Sequence, residues 1–222
     1  MNYNYLPEDV IVGLDNGHGT RGYTKGKCSP DKTYYEGEWS RIMTPRIADG
    51  LRDIGFEPRI IVPENKDILL SERCARANKI MYDNPKKLMI FISLHTNAVG
   101  DKDPVAMKNG GWNDIATGMV VYVARKCSKM SEVLAKNLHD VAVEMGLKGN
   151  RSIPKEGFWR ENWSVVHNTL MPAVLTESAF HTNHHDVEYL LSEKGQEDIT
   201  NMHLIGICKT FGIPYVIKVG YR

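Results

Sequence analysis

An almost wholly apolar run, LMIFISL, occupies residues 88–94 and ends at His95. A strand with so few polar positions is typical of a parallel sheet that has helices packed on both of its faces. Residues 10–14 form a similar run, VIVGL, which ends at the turn signal of residues 15–17. Stretches with apolar residues at helical spacing separate these runs, so predicted strands and helices alternate along the chain.

This alternation predicts an α/β fold with a mostly parallel twisted sheet of about six strands and helices on both faces. No internal repeat or linker interrupts the pattern, so we predict one domain over residues 1–222, with its core at about 10–211. Pro45 lies inside the first predicted helix and favours a kink or a later start there. Further strands are predicted at 57–62, 119–124, 164–166 and 173–176, and helices at 38–54, 68–82, 128–145 and within 186–211.

Charge and composition exclude several classes of protein. The 222 residues include 28 Lys and Arg against 27 Asp and Glu, a formal net charge of +1. Such a balance gives no long-range field that would attract nucleic acid, so we expect no nucleic-acid partner. No segment is long and apolar enough to cross a membrane, and the first nine residues do not resemble a signal peptide, so we expect synthesis in the cytoplasm. The four scattered cysteines predict free thiols.

Three predicted strands end in residues that carry similar chemistry. His18 follows the first strand, His95 ends the run at 88–94, and Glu177 follows the strand at 173–176. Ligands of open α/β sheets bind at the carboxyl ends of the strands, so these side chains are expected at one edge. A catalytic zinc site needs three nitrogen or oxygen ligands and one open position, and a further carboxylate must handle protons.

Four segments in order resemble a known family. They are Gly17-His18-Gly19, SLHTNA at 93–98, PAVLTE at 172–177 followed by SAFHTN, and LLSERCARAN at 69–78. Together they are similar to the zinc-dependent N-acetylmuramoyl-L-alanine amidases of the family called Amidase_3, over about residues 10–211. The loop of residues 20–22 departs from the family pattern, which usually continues with Gly-x-Asp-Pro-Gly-Ala.

The resemblance implies a set of site residues. His18 and His95 would bind Zn²⁺, and Glu177 would be the catalytic carboxylate. The third ligand would be a glutamate at the start of the next helix, where Glu36 and Glu38 both lie. We predict Glu38, because its distance from Gly55 at the helix end resembles the family's spacing.

The same resemblance implies the reaction, which is hydrolysis of the amide bond between N-acetylmuramic acid and L-alanine in bacterial peptidoglycan. Arg151 and Arg160 are expected to bind carboxylates of the stem peptide through bidentate contacts. Asn97 is a further candidate for substrate binding, and the polar stretch at 97–117 is a candidate lid or substrate wall. Two alternatives stay open: a zinc peptidase that cuts within the stem peptide, and an inactive peptidoglycan-binding module of the same fold.

The expected partner is therefore peptidoglycan or a muropeptide, and no obligate protein partner is evident from the sequence. The setting we expect is a phage or prophage lysin that acts on the cell wall once lysis releases it. A cytoplasmic enzyme of wall recycling is the second setting.

Overall fold

A computed structural model describes residues 5–215, so the ends of the predicted domain, 1–4 and 216–222, lie outside the described residues. Its strands are β1 (Val10–Asn16), β2 (Glu57–Ile60), β3 (Leu88–Asn97), β4 (Val120–Val123), β5 (Trp159–Arg160) and β6 (Ala173–Phe180). Its helices are α1 (Glu36–Ile54), α2 (Leu70–Asp83), α3 (Pro104–Lys108), α4 (Lys129–Glu144), α5 (Ser164–His167), α6 (His184–Leu191) and α7 (Glu193–Phe211).

The strands form a six-stranded sheet in the order β2-β1-β3-β6-β4-β5. The neighbours β2, β1, β3 and β6 run parallel, whereas β4 is antiparallel to β6 and parallel to β5. The predicted α/β fold with a mostly parallel sheet is thereby confirmed. The strands β1, β3 and β6 lie side by side in the sheet, so their carboxyl ends meet at one edge.

Helices cover both faces of the sheet, as predicted. On one face α1, α4 and α7 pack against residues such as Val12 and Ile92. On the other face α2 and α5 pack against residues that include Phe91 and Leu175. Side chains alternate between faces along a strand, so consecutive residues at a strand end point to opposite faces of the sheet.

Two local predictions were wrong. The strand predicted at 164–166 is the one-turn helix α5, whose buried Val165 and Val166 gave the segment a β-branched appearance. The neighbouring strand is instead the short β5, at Trp159–Arg160. Pro45 neither ends nor delays the first helix, because α1 runs through it from Glu36.

Other predictions concern membranes and cysteines. Among residues 5–215, no helix has the length and apolar character that crossing a membrane requires. The four cysteines are free thiols, as predicted.

Candidate active site

His18 lies in the short loop that follows β1, with a backbone that few residues other than glycine adopt. Its φ is 58°, in the left-handed region. Two guanidinium groups hold the His18 carbonyl: Arg41 donates from Nη1 at 3.0 Å and Arg73 from Nη2 at 3.2 Å. These arginines belong to α1 and α2, so both helices fix the loop that presents the imidazole.

Glu36 is the first residue of α1, and the structure brings it to His18. A close backbone approach makes this possible, because a Cβ on Gly37 would lie 1.9 Å from the carbonyl oxygen of Gly19. Glu36 is 1% exposed and its carboxylate points at the two histidines.

The choice of Glu38 as the third ligand is corrected by this geometry. The Glu38 side chain is 40% exposed and pairs with Arg21, with 3.4 Å between Nε and Oε1. On a helix, residues two apart point in different directions, so α1 can direct only one of the two glutamates at the histidines. That residue is Glu36.

His18, Glu36 and His95 form one cluster. His95 Nδ1 lies 2.8 Å from Glu36 Oε1, and His18 Nε2 lies 3.6 Å from Glu36 Oε2. One ligand atom from each residue can be chosen so that all lie within 4.8 Å of one another. Two imidazole nitrogens and a carboxylate oxygen at such spacing fit a divalent cation that prefers nitrogen and oxygen ligands, zinc among them.

The second nitrogen of His95 is held by a buried chain of hydrogen bonds. His95 Nε2 lies 3.0 Å from Ser93 Oγ, and that hydroxyl donates to Asp15 Oδ2 at 2.7 Å. Asp15 is paired in turn with the buried Arg73, at 2.8 Å. Because Ser93 uses its proton on Asp15, it can only accept from His95, so Nε2 carries a proton and Nδ1 faces the cluster. Outer contacts of this kind orient histidines in metal sites.

The pKa values in the cluster suit side chains that bind a metal ion. Burial raises the pKa of Glu36, but the hydrogen bond and charge of His95 outweigh burial and lower it to about 2. Burial lowers the pKa of His18 to about 4, despite the opposing charge of Glu36. Burial also lowers the pKa of His95, yet its hydrogen bond to Glu36 raises it overall. Glu36 is thus ionised and His18 neutral near pH 7, and a cation bound here would replace the proton that His95 shares with Glu36.

Glu177 lies on the strand next to His95, and the two residues are Cα partners across β3 and β6. The side chain is buried, and its Oε2 has no hydrogen-bond partner. Burial raises the pKa of Glu177 to about 8, although the charge of His95 opposes the rise. A carboxyl group that titrates close to neutral pH can both accept and release a proton there.

A cavity of about 240 Å³ opens over His18, His95 and Glu177. Its wall includes the exposed Trp163, which follows a loop on the side expected for the site, and the exposed Lys27, which the sequence prediction missed. Lys27 lies in the loop without periodicity before α1. A lysine in a polar loop carries no sequence signal that distinguishes it from a solvated surface residue.

Arg160, like Arg151, is not part of the wall of this cavity. For Arg160 the structure gives a role other than the predicted contact with substrate. In the sheet it is paired in register with Val123, which belongs to the core on the α4 face. Its Nη2 donates to Glu132 of α4 at 2.6 Å. Arg160 therefore lies on the face opposite Glu177 and is engaged in a structural ion pair.

The other two predicted substrate residues lie at the carboxyl edge of the sheet. Asn97 ends β3, where its Oδ1 accepts from the backbone of Ala98 at 2.8 Å and its carbonyl accepts from His181. Arg151 lies in the loop between α4 and β5, with its guanidinium 4.9 Å from the centre of the Phe180 ring. The stretch at 97–117 contains α3 and is fixed partly by Asn113, whose amide donates to Asp103 at 3.0 Å.

An α/β sheet with two histidines, a buried glutamate and an unpartnered carboxylate at its carboxyl edge is typical of metal-dependent hydrolases. The sequence matches the N-acetylmuramoyl-L-alanine amidase family, Amidase_3, over residues 12–209, and the chain belongs to that family. The resemblance inferred from the sequence motifs is confirmed, and the chain is assigned to a family of enzymes.

Individual relatives agree with this assignment. The chain is 26% identical to the endolysin of Bacillus phage SPP1 over 91% of its own length, and it spans 66% of that protein. Its fold is similar to N-acetylmuramoyl-L-alanine amidase from Clostridium difficile 630, with a TM-score of 0.73 and 22% identity over 90% of this chain and 95% of that one. It is also similar to the amidase Ami1 of Mycobacterium smegmatis, with a TM-score of 0.75 and 18% identity over 96% and 99%.

Proposed function

We propose that this protein hydrolyses the amide bond between N-acetylmuramic acid and L-alanine in peptidoglycan, and that it does so with zinc held by His18, Glu36 and His95. The observation that carries the proposal is the pairing of this buried cluster with Glu177, whose Oε2 has no partner at the wall of the same cavity. Buried polar atoms usually have a hydrogen-bond partner. A buried oxygen without a partner at the wall of a cavity supports a catalytic role for Glu177.

Bound at that cluster, zinc would supply a Lewis acid to the scissile carbonyl and lower the pKa of a water molecule. Among this chain's own residues, Glu177 transfers the proton. Its carboxylate accepts a proton from the attacking water, whose oxygen forms a bond to the lactyl carbonyl carbon. Glu177 then gives that proton to the nitrogen of L-alanine as the carbon–nitrogen bond breaks. The products are a lactyl carboxylate and a free alanine amine.

The proposed setting is lysis of a bacterial cell wall. The similarity to a phage endolysin supports this setting, and the chain spans 66% of that relative's length. We propose that the protein acts on the wall once it has been released, with peptidoglycan or its fragments as substrate.

The test is to incubate zinc-loaded protein with purified peptidoglycan and to identify the amino acid that bears each newly released amine. We expect new N-terminal alanine from the wild type. In Glu177→Gln we expect a rate lower by about 10²–10⁴-fold, the usual contribution of a general acid–base group, with unchanged zinc content. Glu38→Gln is the matched control, because that glutamate lies on the surface and should leave the rate unchanged.

Other outcomes would contradict the proposal in distinct ways. Release of an amine from a later residue of the stem would indicate a peptidase that uses the same cluster. A zinc-bound wild type that binds peptidoglycan without releasing any amine would indicate a binding module.

A further inference from the structure

Arg151 is a cation at the catalytic end of the sheet. Its guanidinium lies over the ring of Phe180, the last residue of β6, with 4.9 Å between Cζ and the ring centre. Burial and the charge of Glu177 raise the pKa of Tyr122, and the nearby Arg151 opposes that rise. Arg151 also opposes the rise in the pKa of Glu177 itself. The cation is thus close to both side chains and is placed beside the group that handles the proton.

The guanidinium contacts the hydroxyl of Tyr122, but one of its buried donors has no acceptor. Its Nε is buried and has no hydrogen-bond partner, and within residues 5–215 no acidic side chain forms an ion pair with Arg151. Other arginines that are buried or partly buried in this protein differ: Arg73 pairs with Asp15, and Arg160 with Glu132. A buried donor without an acceptor is unfavourable, so this arrangement suits a guanidinium whose acceptor arrives with a ligand.

The guanidinium group of Arg151 determines which kind of ligand fits. A guanidinium presents planar, paired N–H donors that match the two oxygens of a carboxylate. At the cavity wall Arg73 is already paired with Asp15 and Asp67, so a carboxylate of the substrate needs a cation that is not yet paired. Lys27 lies at the wall of the cavity that includes His18, whereas Arg151 lies beside Glu177 and is not part of that wall.

The position of Arg151 indicates which carboxylate of the substrate it binds. In the proposed reaction Glu177 gives its proton to the alanine nitrogen, so the neighbourhood of Glu177 faces the departing peptide. The carboxylate nearest to the broken bond on that side belongs to the acidic residue that follows alanine in the stem. In peptidoglycan this carboxylate is either free or converted to an amide.

We propose that Arg151 binds the carboxylate of the second stem residue and makes the enzyme selective for stems in which that carboxylate is free. This inference rests on the proposed function, since it concerns the peptide that the reaction releases.

The experiment compares two muramoyl peptides that differ only in a free or amidated carboxylate at the second stem residue. The wild type should have a KM about 10–100-fold lower for the free acid, as expected for a hydrogen bond to a charged group. Arg151→Gln should remove this preference by raising the KM for the free acid alone, and Arg151→Lys should restore part of it. Arg160→Gln is the matched control, because it removes an arginine that is paired with Glu132 on the other face, and it should keep the preference.

Two results would overturn the inference. One is that Arg151→Gln loses the same fraction of its activity with both substrates and shows a shifted pH profile of kcat. That result would make Arg151 a positioning residue for Glu177. The other is a wild type that hydrolyses both substrates equally well.

A binding measurement separates this inference from the proposed function. Calorimetric titration of zinc-loaded protein with the dipeptides L-alanyl-D-glutamate and L-alanyl-D-isoglutamine needs no turnover. Tighter binding of the free acid that is lost in Arg151→Gln would support the carboxylate site even if hydrolysis is never observed. Equal binding of both dipeptides by the wild type would exclude it.

Discussion

His203 provides a prediction about pH and stability that does not involve the proposed active site. It lies on α7 with 0% exposure. Its Nδ1 lies 2.8 Å from the carbonyl oxygen of Ile199 and its Nε2 lies 3.1 Å from Thr176 Oγ1. The carbonyl can only accept, so Nδ1 carries the proton and Nε2 accepts from the hydroxyl. The imidazole is therefore satisfied in its neutral form.

Burial lowers the pKa of His203 from 6.5 to about 4. Between these two values the unfolded chain binds a proton that the folded chain does not, so the free energy of unfolding falls as the pH falls. Each pH unit in that interval corresponds to about 1.4 kcal/mol. The full effect is therefore about 3 kcal/mol, of which about 2 kcal/mol falls between pH 7 and pH 5.

Urea unfolding at pH 7 and at pH 5 measures this effect if the wild type is compared with His203→Gln, both without zinc. The other histidines titrate alike in the two proteins, so the difference between their losses reports on His203. We expect the wild type to lose about 2 kcal/mol more than the variant. His185→Gln, an exposed control, should behave as the wild type does. Equal losses in the wild type and His203→Gln would refute the argument that burial holds this imidazole neutral.

Two further predictions concern the cluster and the buried ion pair behind it. Glu36→Gln should weaken zinc binding by more than about 100-fold, beyond the usual effect of residues outside the ligand shell, whereas Glu38→Gln should leave it unchanged; competition with a chromophoric chelator distinguishes the two. Arg73→Met leaves the buried Asp15 carboxylate without its cation, so we expect the free energy of unfolding to fall by about 3–5 kcal/mol, measured by urea denaturation at pH 7. A loss below about 1 kcal/mol would mean that water replaces the guanidinium.

The sequence was sufficient to predict the layers of helices and sheet, and the edge of the sheet at which the site lies. Apolar runs at 10–14 and 88–94 are long and regular, and strands that alternate with helices favour a mostly parallel sheet with helices on both faces. His18, His95 and Glu177 were predicted at one edge because each follows a strand directly. That argument depends on where the apolar runs stop, and it tolerates an error of a few residues. In the structure β3 and β6 continue past His95 and Glu177, to Asn97 and Phe180.

What the sequence could not predict depends on a single helical turn or on one strand residue. Glu36 and Glu38 are both compatible with the start of α1, and only the packing of Gly37 on Gly19 determines which one reaches the histidines. Arg151 and Arg160 look equivalent in the sequence. They differ because β5 directs Arg160 towards α4, and a strand of two residues has no periodicity from which its orientation can be read.

The arginine contacts to the His18 carbonyl also bear on how such an enzyme can diversify. Arg41 and Arg73 reach that carbonyl from α1 and α2, so two helices hold the imidazole in addition to the loop of residues 20–35. Within that loop the buried Tyr34 donates to Thr96 beside His95. Recombination could therefore exchange or resize the exposed residues 25–27, which supply Lys27 to the cavity wall, and leave Tyr34 and the reacting centre in place. The chain thus separates an interchangeable recognition segment from a constant catalytic frame, and loop grafting between relatives is a direct route to altered wall specificity.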